Sequence, residues 1–357
     1  MSALPTAIGL AEGGWLPDPV VRWGIRRACA RRLQEERRRR AGRTDTQATN
    51  EVLNELARAE IALVPAQANA QHYEVPAAFF QRVLGPRLKY SCGWWGDGVD
   101  TLTAAEAAAL DLTIDHAGIV DGMRVLELGC GWGSLALHLA ARLPHCTIVG
   151  VSNSTSQRVF IESQARRRGL GNVTIETADV ARYAPVGRFD RVVSVEMFEH
   201  VRNYEALLAR IAGWLEPHGA LFVHVFCHRR FAYPFETEGD DNWMGRHFFA
   251  GGQMPSVDLL PSVPGPFALD AQWRWGGEHY ARTANAWLDN LDADREALTR
   301  ILGSVSGPGE GALALRRWRL FFLACAELFA TAGGTEWGVA HYRFTRRDAG
   351  VPATGTP

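Results

Sequence analysis

The sequence lacks the features that would assign it to a membrane or secreted class. No stretch reaches about 18 uninterrupted apolar residues, the length of a helix that crosses a bilayer. The 6 cysteines are scattered with no C-x-x-C spacing, which is typical of free thiols in a cytosolic protein. The first residues, MSALPTAIGLAEGG, lack the basic and then apolar pattern of a secretory signal. We therefore expect a cytoplasmic protein without stable membrane insertion.

The chain also lacks an excess of charge of one sign. Lys and Arg number 38 against 39 Asp and Glu, so nothing favours nucleic acid as a partner. One local exception is the Arg-rich stretch 22–43, which could contact anionic lipid headgroups or form a solvated helix face beside acidic residues. Both interpretations stay open. The 47% hydrophobic content is typical of a folded soluble protein.

Short apolar runs alternate with helical segments through the middle of the chain. The runs predicted as strands are 123–129, 146–152, 173–177, 189–195 and 219–226. The helices predicted between them are 134–143, 155–168 and 204–215. This alternation predicts a doubly wound, Rossmann-like α/β domain with a parallel sheet covered on both faces.

The segments on either side of this domain have a different composition. Before it, helices are predicted over 18–63, 75–84 and Thr101–His116, the last with a capping signature at Thr103–Glu106. After it comes a long irregular aromatic insertion, then a helix over 313–330 and the segment WGVAHYRF. We predict a helical N-terminal cap (1–117), the core (118–228), a lid with remaining core elements (229–345) and a flexible tail (346–357).

A glycine-rich turn follows the first predicted strand. Gly129, Gly131 and Gly133 alternate with Cys130 and Trp132, so the turn differs from the G-x-G-x-x-G pattern of dinucleotide-binding loops. The acid Glu127 lies two residues before the first glycine. This E-x-G-x-G-x-G form resembles the S-adenosylmethionine loop of class I methyltransferases, which implies that S-adenosylmethionine is the cofactor.

Polar residues follow the next two predicted strands. Ser152, Asn153 and Gln157 stand where nucleoside-binding sheets often carry an acid for the ribose hydroxyls, and they can make the same hydrogen bonds. Asp179 and Val180, at the end of the third strand, are placed to meet the adenine ring. We predict that these residues bind the cofactor.

Three ionisable residues, Glu196, Glu199 and His200, follow the fourth predicted strand. If a helix begins there, Glu196 and His200 share one face, because they are four residues apart. Methyl transfer to nitrogen needs a neutral lone pair, and a carboxylate with an imidazole can remove the proton. In contrast, His224 and His228 straddle a predicted strand end without a third ligand cluster, so no metal site is predicted.

Long stretches of the chain, from about residue 20 to 345, are similar to coclaurine N-methyltransferase and its relatives, a branch of the cyclopropane fatty acid synthase superfamily. The stretches that carry the resemblance include LKYSCGWW, VLELGCGWGS, SVEMFEHVRNYEALL, HFFAGGQMPS and EWGVAHYRF. The resemblance implies a methyltransferase that acts on the nitrogen of a small, aromatic or alkaloid-like amine.

The resemblance also implies roles for individual residues. Tyr90 and Ser91 would contact the methionine part of the cofactor, and Glu196 with His200 would be the catalytic pair, with Glu199 beside them. The residues expected to line the amine pocket are Trp337, His341, Phe322 and Tyr280. Aromatic walls suit a reaction that forms a cationic nitrogen.

The lipid-modifying branch of the same superfamily is the competing interpretation. There the cofactor methylates a double bond in an acyl chain, and a bound bicarbonate takes the proton. Residues similar to that bicarbonate site are Cys92, Glu199, His224 and Tyr280. That branch usually carries Gly where this chain has Glu196, whose negative charge would repel bicarbonate. The amine is favoured, while its identity and the choice between monomer and homodimer stay open.

Overall fold

The computed structural model describes residues 3–61, 75–239, 242–307 and 309–347. The N-terminal region contains helices α1 (Ala3–Glu12), α2 (Asp18–Arg39) and α3 (Asp45–Leu56). The helical interpretation of 18–63 is confirmed for α2 and α3, although a break separates them, and residues 62 and 63 lie outside the described residues. The break comes at Thr44, whose side chain accepts a hydrogen bond from the Gln47 backbone while Gln47 bonds back, so a new capping box starts α3.

Helices α4 (Ala77–Val83) and α5 (Leu102–Ala117) confirm the two other N-terminal helix predictions. The predicted capping signature at Thr103 is wrong, because the N-cap is Thr101, whose hydroxyl accepts from the Ala104 N–H. Glu106 has a different task. Its carboxylate accepts hydrogen bonds from the backbone N–H groups of Arg87 at 2.9 Å and Lys89 at 3.2 Å. This contact fixes the loop between α4 and α5.

A seven-stranded sheet forms the centre of the molecule, in the order β3-β2-β1-β4-β5-β9-β8. Its strands are β1 (Arg124–Leu128), β2 (Thr147–Ser152), β3 (Val173–Thr177), β4 (Phe189–Val195), β5 (Leu215–His228), β8 (Phe267–Gly276) and β9 (Trp337–Arg346). A separate ribbon pairs β6 (Tyr233–Pro234) with β7 (Gln253–Met254). The predicted doubly wound α/β fold is confirmed.

The wholly parallel sheet that we predicted is wrong at one edge. Strands β1 to β5 pair in parallel, but β9 runs antiparallel to both β5 and β8. The segment 337–344 was predicted only as a motif, and β8 was not predicted. Alternate residues of one strand pack on opposite faces, as Val192 and Val193 of β4 do, because side chains of a strand point to its two sides in turn.

Helices cover both faces of this sheet. Helices α6 (Ser134–Arg142) and α7 (Thr155–Arg167) follow β1 and β2, and α8 (Tyr204–Trp214) follows the turn after β4. The short helix α9 (Trp243–His247) lies in the predicted lid. Three more helices, α10 (Gly277–Ala293), α11 (Arg295–Ser306) and α12 (Gly311–Phe329), precede β9, and the sequence predicted only α12. Their apolar faces share one core cluster with α2 and α4.

The Arg-rich helix α2 packs on α12 through ion pairs as well as apolar contacts. Arg22 and Arg26 each contact the Glu327 carboxylate at 2.8 Å. Part of the basic stretch is thus used inside the protein.

Among the residues that the structure describes, no helix combines the length and the apolar character that a membrane crossing requires.

Candidate active site

A cavity lies at the C-terminal ends of β1 and β4. The cavity and its mouth together enclose about 1230 Å³. Ligand sites of α/β sheets usually lie at this edge. Its wall has contributions from the loop before α5, the turns after β1 and β4, the segment after β5, and helices α10 and α12. The site is therefore assembled from the N-terminal cap, the core and the predicted lid.

The glycine-rich turn forms one wall of this cavity. Gly129 and Gly131 have positive φ angles of 78° and 51°, a left-handed conformation that side chains disfavour. A Cβ atom on Gly129 would come within 2.9 Å of Met197, whereas one on Gly131 would meet no atom within 4 Å. Since Gly131 also lines the cavity, the space above its backbone is open for a ligand.

Three buried polar atoms beside the turn have no hydrogen-bond partner within the described part of the chain. They are Glu127 Oε2, Ser134 Oγ and Gln157 Nε2, and all three residues line the cavity. Burial raises the pKa of the Glu127 carboxyl to about 8. Buried polar groups almost always have a partner, so a donor–acceptor set left open at a cavity wall fits a polar ligand. We call Glu127, the turn 129–133, Ser134 and Gln157 the polar wall.

The loop between α4 and α5 completes the cavity beside the polar wall. Lys89 is buried, and its Nζ donates to Ser91 Oγ at 2.5 Å and to the Cys92 carbonyl at 2.8 Å. These bonds hold Tyr90 and Ser91 at the cavity, as predicted for cofactor contact. Lys89 was not predicted, although it stands beside them in LKYSCGWW.

Glu196 enters the cavity from the end of β4. It is one of the few non-glycine residues with a positive φ, 48°, a strained conformation that is common at functional sites. Its carboxylate accepts hydrogen bonds from Tyr280 Oη at 2.7 Å and from the Cys92 N–H at 3.1 Å, and it contacts His224 Nε2 at 3.2 Å. Burial raises the pKa of Glu196, while nearby Lys89 and the Tyr280 hydrogen bond act in the opposite direction.

His200 also lines the cavity, but the condition under which it would share a helix face with Glu196 is not met. A 3-10 turn, Phe198–His200, begins only after Glu196. The turn nonetheless places both residues at the cavity wall. Burial lowers the pKa of His200 to about 4, so its imidazole is neutral at pH 7.

Glu199 lies behind this wall and has no exposed surface. One carboxyl oxygen accepts from the Phe226 N–H at 2.9 Å, and the other has no partner. Burial, followed by the charge of Glu196, raises the pKa of Glu199 well above its usual value. Burial thus favours the neutral form of Glu199, and its predicted catalytic role stays a prediction.

The predicted ribose and adenine residues lie near the cavity but, Gln157 excepted, not in its wall. Ser152 Oγ donates to Gln157 Oε1 at 2.6 Å, which orients the amide. Asn153 is exposed, and Asp179 Oδ1 accepts from the Ala181 N–H at 2.9 Å. Together with Val180 they follow β2 and β3 at the same edge of the sheet, and their cofactor roles stay predictions.

Aromatic side chains form a further part of the cavity lining, which we call the aromatic wall. Its rings belong to Phe226, Phe235, Phe249, Tyr280, Trp287, Phe321 and Phe329. Tyr280 stacks on Phe329 with ring centroids 4.2 Å apart. Most of these residues were not predicted individually, although the aromatic motifs HFFAGG and FFLACAELF contain several of them.

Of the predicted amine-pocket residues, only Tyr280 lines the cavity. Trp337 is buried behind it and donates from Nε1 to Tyr233 Oη at 3.0 Å. Phe322 packs in the core against Trp287 and Trp318. His341 lies on β9, where Nε2 is 2.7 Å from His224 Nδ1. These three residues lie outside the cavity wall, and their contact with substrate stays a prediction.

Comparison with known proteins gives a consistent result over nearly the whole chain. The family described as mycolic acid cyclopropane synthetase matches residues 64–335. The chain is 34% identical to (S)-coclaurine N-methyltransferase of Thalictrum flavum subsp. glaucum over 340 residues, 94% of each protein. Cyclopropane-fatty-acyl-phospholipid synthase of Escherichia coli K12 is 34% identical over 224 residues, 62% of this chain and 55% of that protein.

A solved structure extends this similarity to three dimensions. The crystal structure of coclaurine N-methyltransferase bound to N-methylheliamine and SAH superposes with a TM-score of 0.91. It is 34% identical, and the match covers 96% of this chain and 100% of that one. The similarity therefore includes the cap, the central sheet and the helices that carry the aromatic wall.

Proposed function

The chain belongs to the mycolic acid cyclopropane synthetase family, and from this membership we propose that it methylates the nitrogen of a small, largely aromatic amine. It is an S-adenosylmethionine-dependent methyltransferase. The observation that carries the proposal is the position of Glu196, a carboxylate that lines the same cavity as the aromatic wall. A cation entering this cavity meets a base and ring faces together.

The polar wall fits the cofactor. Glu127, Ser134 and Gln157 offer the unpartnered polar atoms, and the open space over Gly131 allows close approach to the backbone. Tyr90 and Ser91 lie beside them. The bound cofactor supplies a methyl group activated by a sulfonium. These residues orient it toward the aromatic wall, and alignment of the two reactants supplies a large part of the rate enhancement.

The chain's own residues would handle the proton of the amine. An alkylamine is mostly protonated at neutral pH and has no free lone pair in that form. Glu196, held as a hydrogen-bond acceptor by Tyr280 and Cys92, takes the proton from the ammonium group. The neutral imidazole of His200 provides a second acceptor at the same wall. General-base catalysis of this kind contributes roughly a hundredfold to ten-thousandfold.

The hydrogen bonds of Glu196 also favour an amine over an acyl chain. The competing interpretation requires a bicarbonate held by residues that include Cys92, His224 and Tyr280. In this chain the polar groups of those residues contact the Glu196 carboxylate instead. The protein thus provides its own carboxylate at that position, and a second anion beside it would be repelled.

A methyl-transfer assay tests the proposal against this rival. The protein, with S-adenosylmethionine, is offered a panel of benzylisoquinoline-like and simpler arylalkylamines and, in parallel, vesicles of unsaturated phospholipid. We expect amines that gain one methyl mass on nitrogen and vesicles that stay unchanged. Methylated acyl chains without methylated amines would establish the lipid branch instead.

Several narrower predictions go with this proposal. A cytoplasmic location, a small molecule rather than nucleic acid as the partner, and either a monomer or a homodimer are proposed from the sequence. The division into cap (1–117), core (118–228) and lid (229–345) is likewise a proposal. Most of the predicted flexible tail, residues 348–357, lies outside the described residues.

A further inference from the structure

Three histidines form a continuous line of hydrogen-bonding contacts that ends on Glu196. His224 Nε2 is 3.2 Å from Glu196 Oε1, and His224 Nδ1 is 2.7 Å from His341 Nε2. The other nitrogen of His341, Nδ1, is 2.8 Å from His116 Nδ1. The line uses both nitrogens of the two inner rings and crosses from β5 to β9 and then to α5. We call these residues the histidine relay.

The relay leads from the cavity along one face of the sheet to a partly exposed histidine, His116. His224 and His341 have no exposed surface, whereas His116 is half-buried. The His116 ring lies flat on Trp273 of β8, with centroids 4.0 Å apart and planes 6° apart. Trp275 packs against both inner rings. Each ring is therefore held by packing as well as by its hydrogen bonds.

All three rings are neutral at pH 7. Burial lowers the pKa of His224 and His341 well below the usual value, and the neighbouring histidines lower that of His341 further. Burial also lowers the pKa of His116. A neutral imidazole has one N–H donor and one acceptor nitrogen, so each ring can donate in only one direction along the line.

An ionised Glu196 fixes that direction for the whole relay. A carboxylate only accepts, so His224 must donate from Nε2, which leaves its Nδ1 as an acceptor. His341 then donates from Nε2 and accepts at Nδ1, and His116 donates from Nδ1. If Glu196 instead takes a proton and donates a hydrogen bond to His224, all three histidines must switch to the other tautomer. Otherwise one hydrogen bond of the relay is lost. The relay thus opposes protonation of Glu196.

We propose that His224, His341 and His116 are positioning residues that keep Glu196 an ionised hydrogen-bond acceptor in the buried site. The inference rests on the proposed function, because Glu196 is the base of that reaction. Hydrogen bonds to the charged form favour that form and compensate part of the burial that disfavours it. The relay lets a carboxylate stay ionised although little solvent reaches it.

Other groups also face the two ends of this line. Those around Glu196 are Lys89 and Cys92 from the loop before α5, Tyr280 from α10, Glu199 and His200 from the 3-10 turn, and Cys325 from α12. Those around His116 are Asp115 and Arg343, and Lys89 also acts on His224 and His341. None of these groups forms hydrogen bonds with both His224 and His341. A substitution at His341 therefore interrupts the relay while the other groups around Glu196 stay in place.

Variants at His341 test the relay through a pH profile of amine methylation. His341→Leu leaves His224 Nδ1 without its hydrogen-bond donor. The acid limb of the pH profile, where kcat/KM falls at low pH, should therefore move up by about one pH unit, so that kcat/KM on that limb falls roughly tenfold. At high pH the variant should approach the parent. His341→Gln can donate and accept, and it should restore most of the parental limb. His116→Phe keeps the stacking on Trp273 and should give a smaller shift in the same direction.

Nitrogen NMR of histidine-labelled protein without ligand provides a readout that does not depend on turnover. We expect His224 and His341 protonated on Nε2 and His116 on Nδ1, with the His224 tautomer becoming mixed in His341→Leu. An active His341→Leu enzyme with an unmoved acid limb, or a His224 protonated on Nδ1 in the parent, overturns the relay. A parent with these tautomers that methylates no amine overturns the proposed function and leaves the relay standing.

Discussion

The polar wall and the aromatic wall of the cavity are built in different ways. The core of the polar wall, residues 127–134, comes from one strand, one turn and the start of one helix. The aromatic wall takes Phe226 from β5, Phe249 from the lid, and Tyr280 and Phe329 from separate helices. The first wall leaves polar atoms unpartnered, whereas the second offers ring faces. This difference indicates that cofactor binding is encoded locally, while amine selectivity depends on how distant elements pack.

The largest expected effect comes from a substitution of Glu196, whose carboxylate lines the same cavity as the two walls. Glu196→Gln keeps the shape of the side chain but removes the base, so kcat should fall by roughly a hundredfold to ten-thousandfold. Affinity for the cofactor product, measured by calorimetry, should stay near the parental value. Glu199→Gln is the matched control. Because Glu199 is buried and burial favours its neutral form, its amide variant should retain activity within about tenfold. Equal losses in both variants would refute the division of roles.

A substitution in the polar wall should have the next largest effect. Gly131→Val places a branched side chain at a φ of 51° and fills the open space above the turn. Strain and lost space together should weaken cofactor binding on the order of a hundredfold in calorimetry. Gly171→Val is the control, because a Cβ there meets no atom within 4 Å and its φ is not in the left-handed region. Unweakened binding in Gly131→Val would remove the turn from the cofactor site.

A substitution in the aromatic wall should give the smallest of these effects. Phe329→Leu removes a ring face from the cavity, so KM for the amine should rise about three- to tenfold, in the range of a cation–π contact. Cofactor affinity should not change. Phe344→Leu removes an equally buried ring, 3% exposed in both cases, away from the cavity, and controls for loss of packing. A rise in KM of the same size in both variants would show that the wall acts only through stability.

The sequence predicted the polar wall well because its signal is local. Glu127 and the glycines stand in one run of the chain, and the strand before them has a clear apolar pattern. Hydrogen bonds across the fold could not be predicted in this way. Examples are Tyr280 with Glu196, 84 residues apart, and His341 with His224, 117 residues apart. Neither pair has a spacing motif, since each depends on which strands become neighbours.

The antiparallel edge of the sheet was missed for a related reason. Strand β8 alternates between buried and exposed residues only weakly, and helix α10 follows it directly at Gly277. Of the amine-pocket positions inferred from resemblance, Tyr280 lines the cavity, whereas Trp337, His341 and Phe322 lie outside its wall. Phe322 was predicted, and the cavity is lined by its neighbour Phe321. A shift of one residue on a helix rotates the side chain by about 100° and is enough to bury it in the core.

The close contact between β8 and β9 limits how this enzyme could be engineered for other amines. A methyl group on Gly338 would lie 2.4 Å from the carbonyl oxygen of Trp275, so even alanine there would push the two strands apart. Trp275 packs on His224 and His341, so the displacement would be transmitted through these histidines to the base, Glu196. A mutant library aimed at new substrates should therefore leave this strand pair untouched. It should instead randomise Phe321 and Leu328, which reach the cavity from a helix.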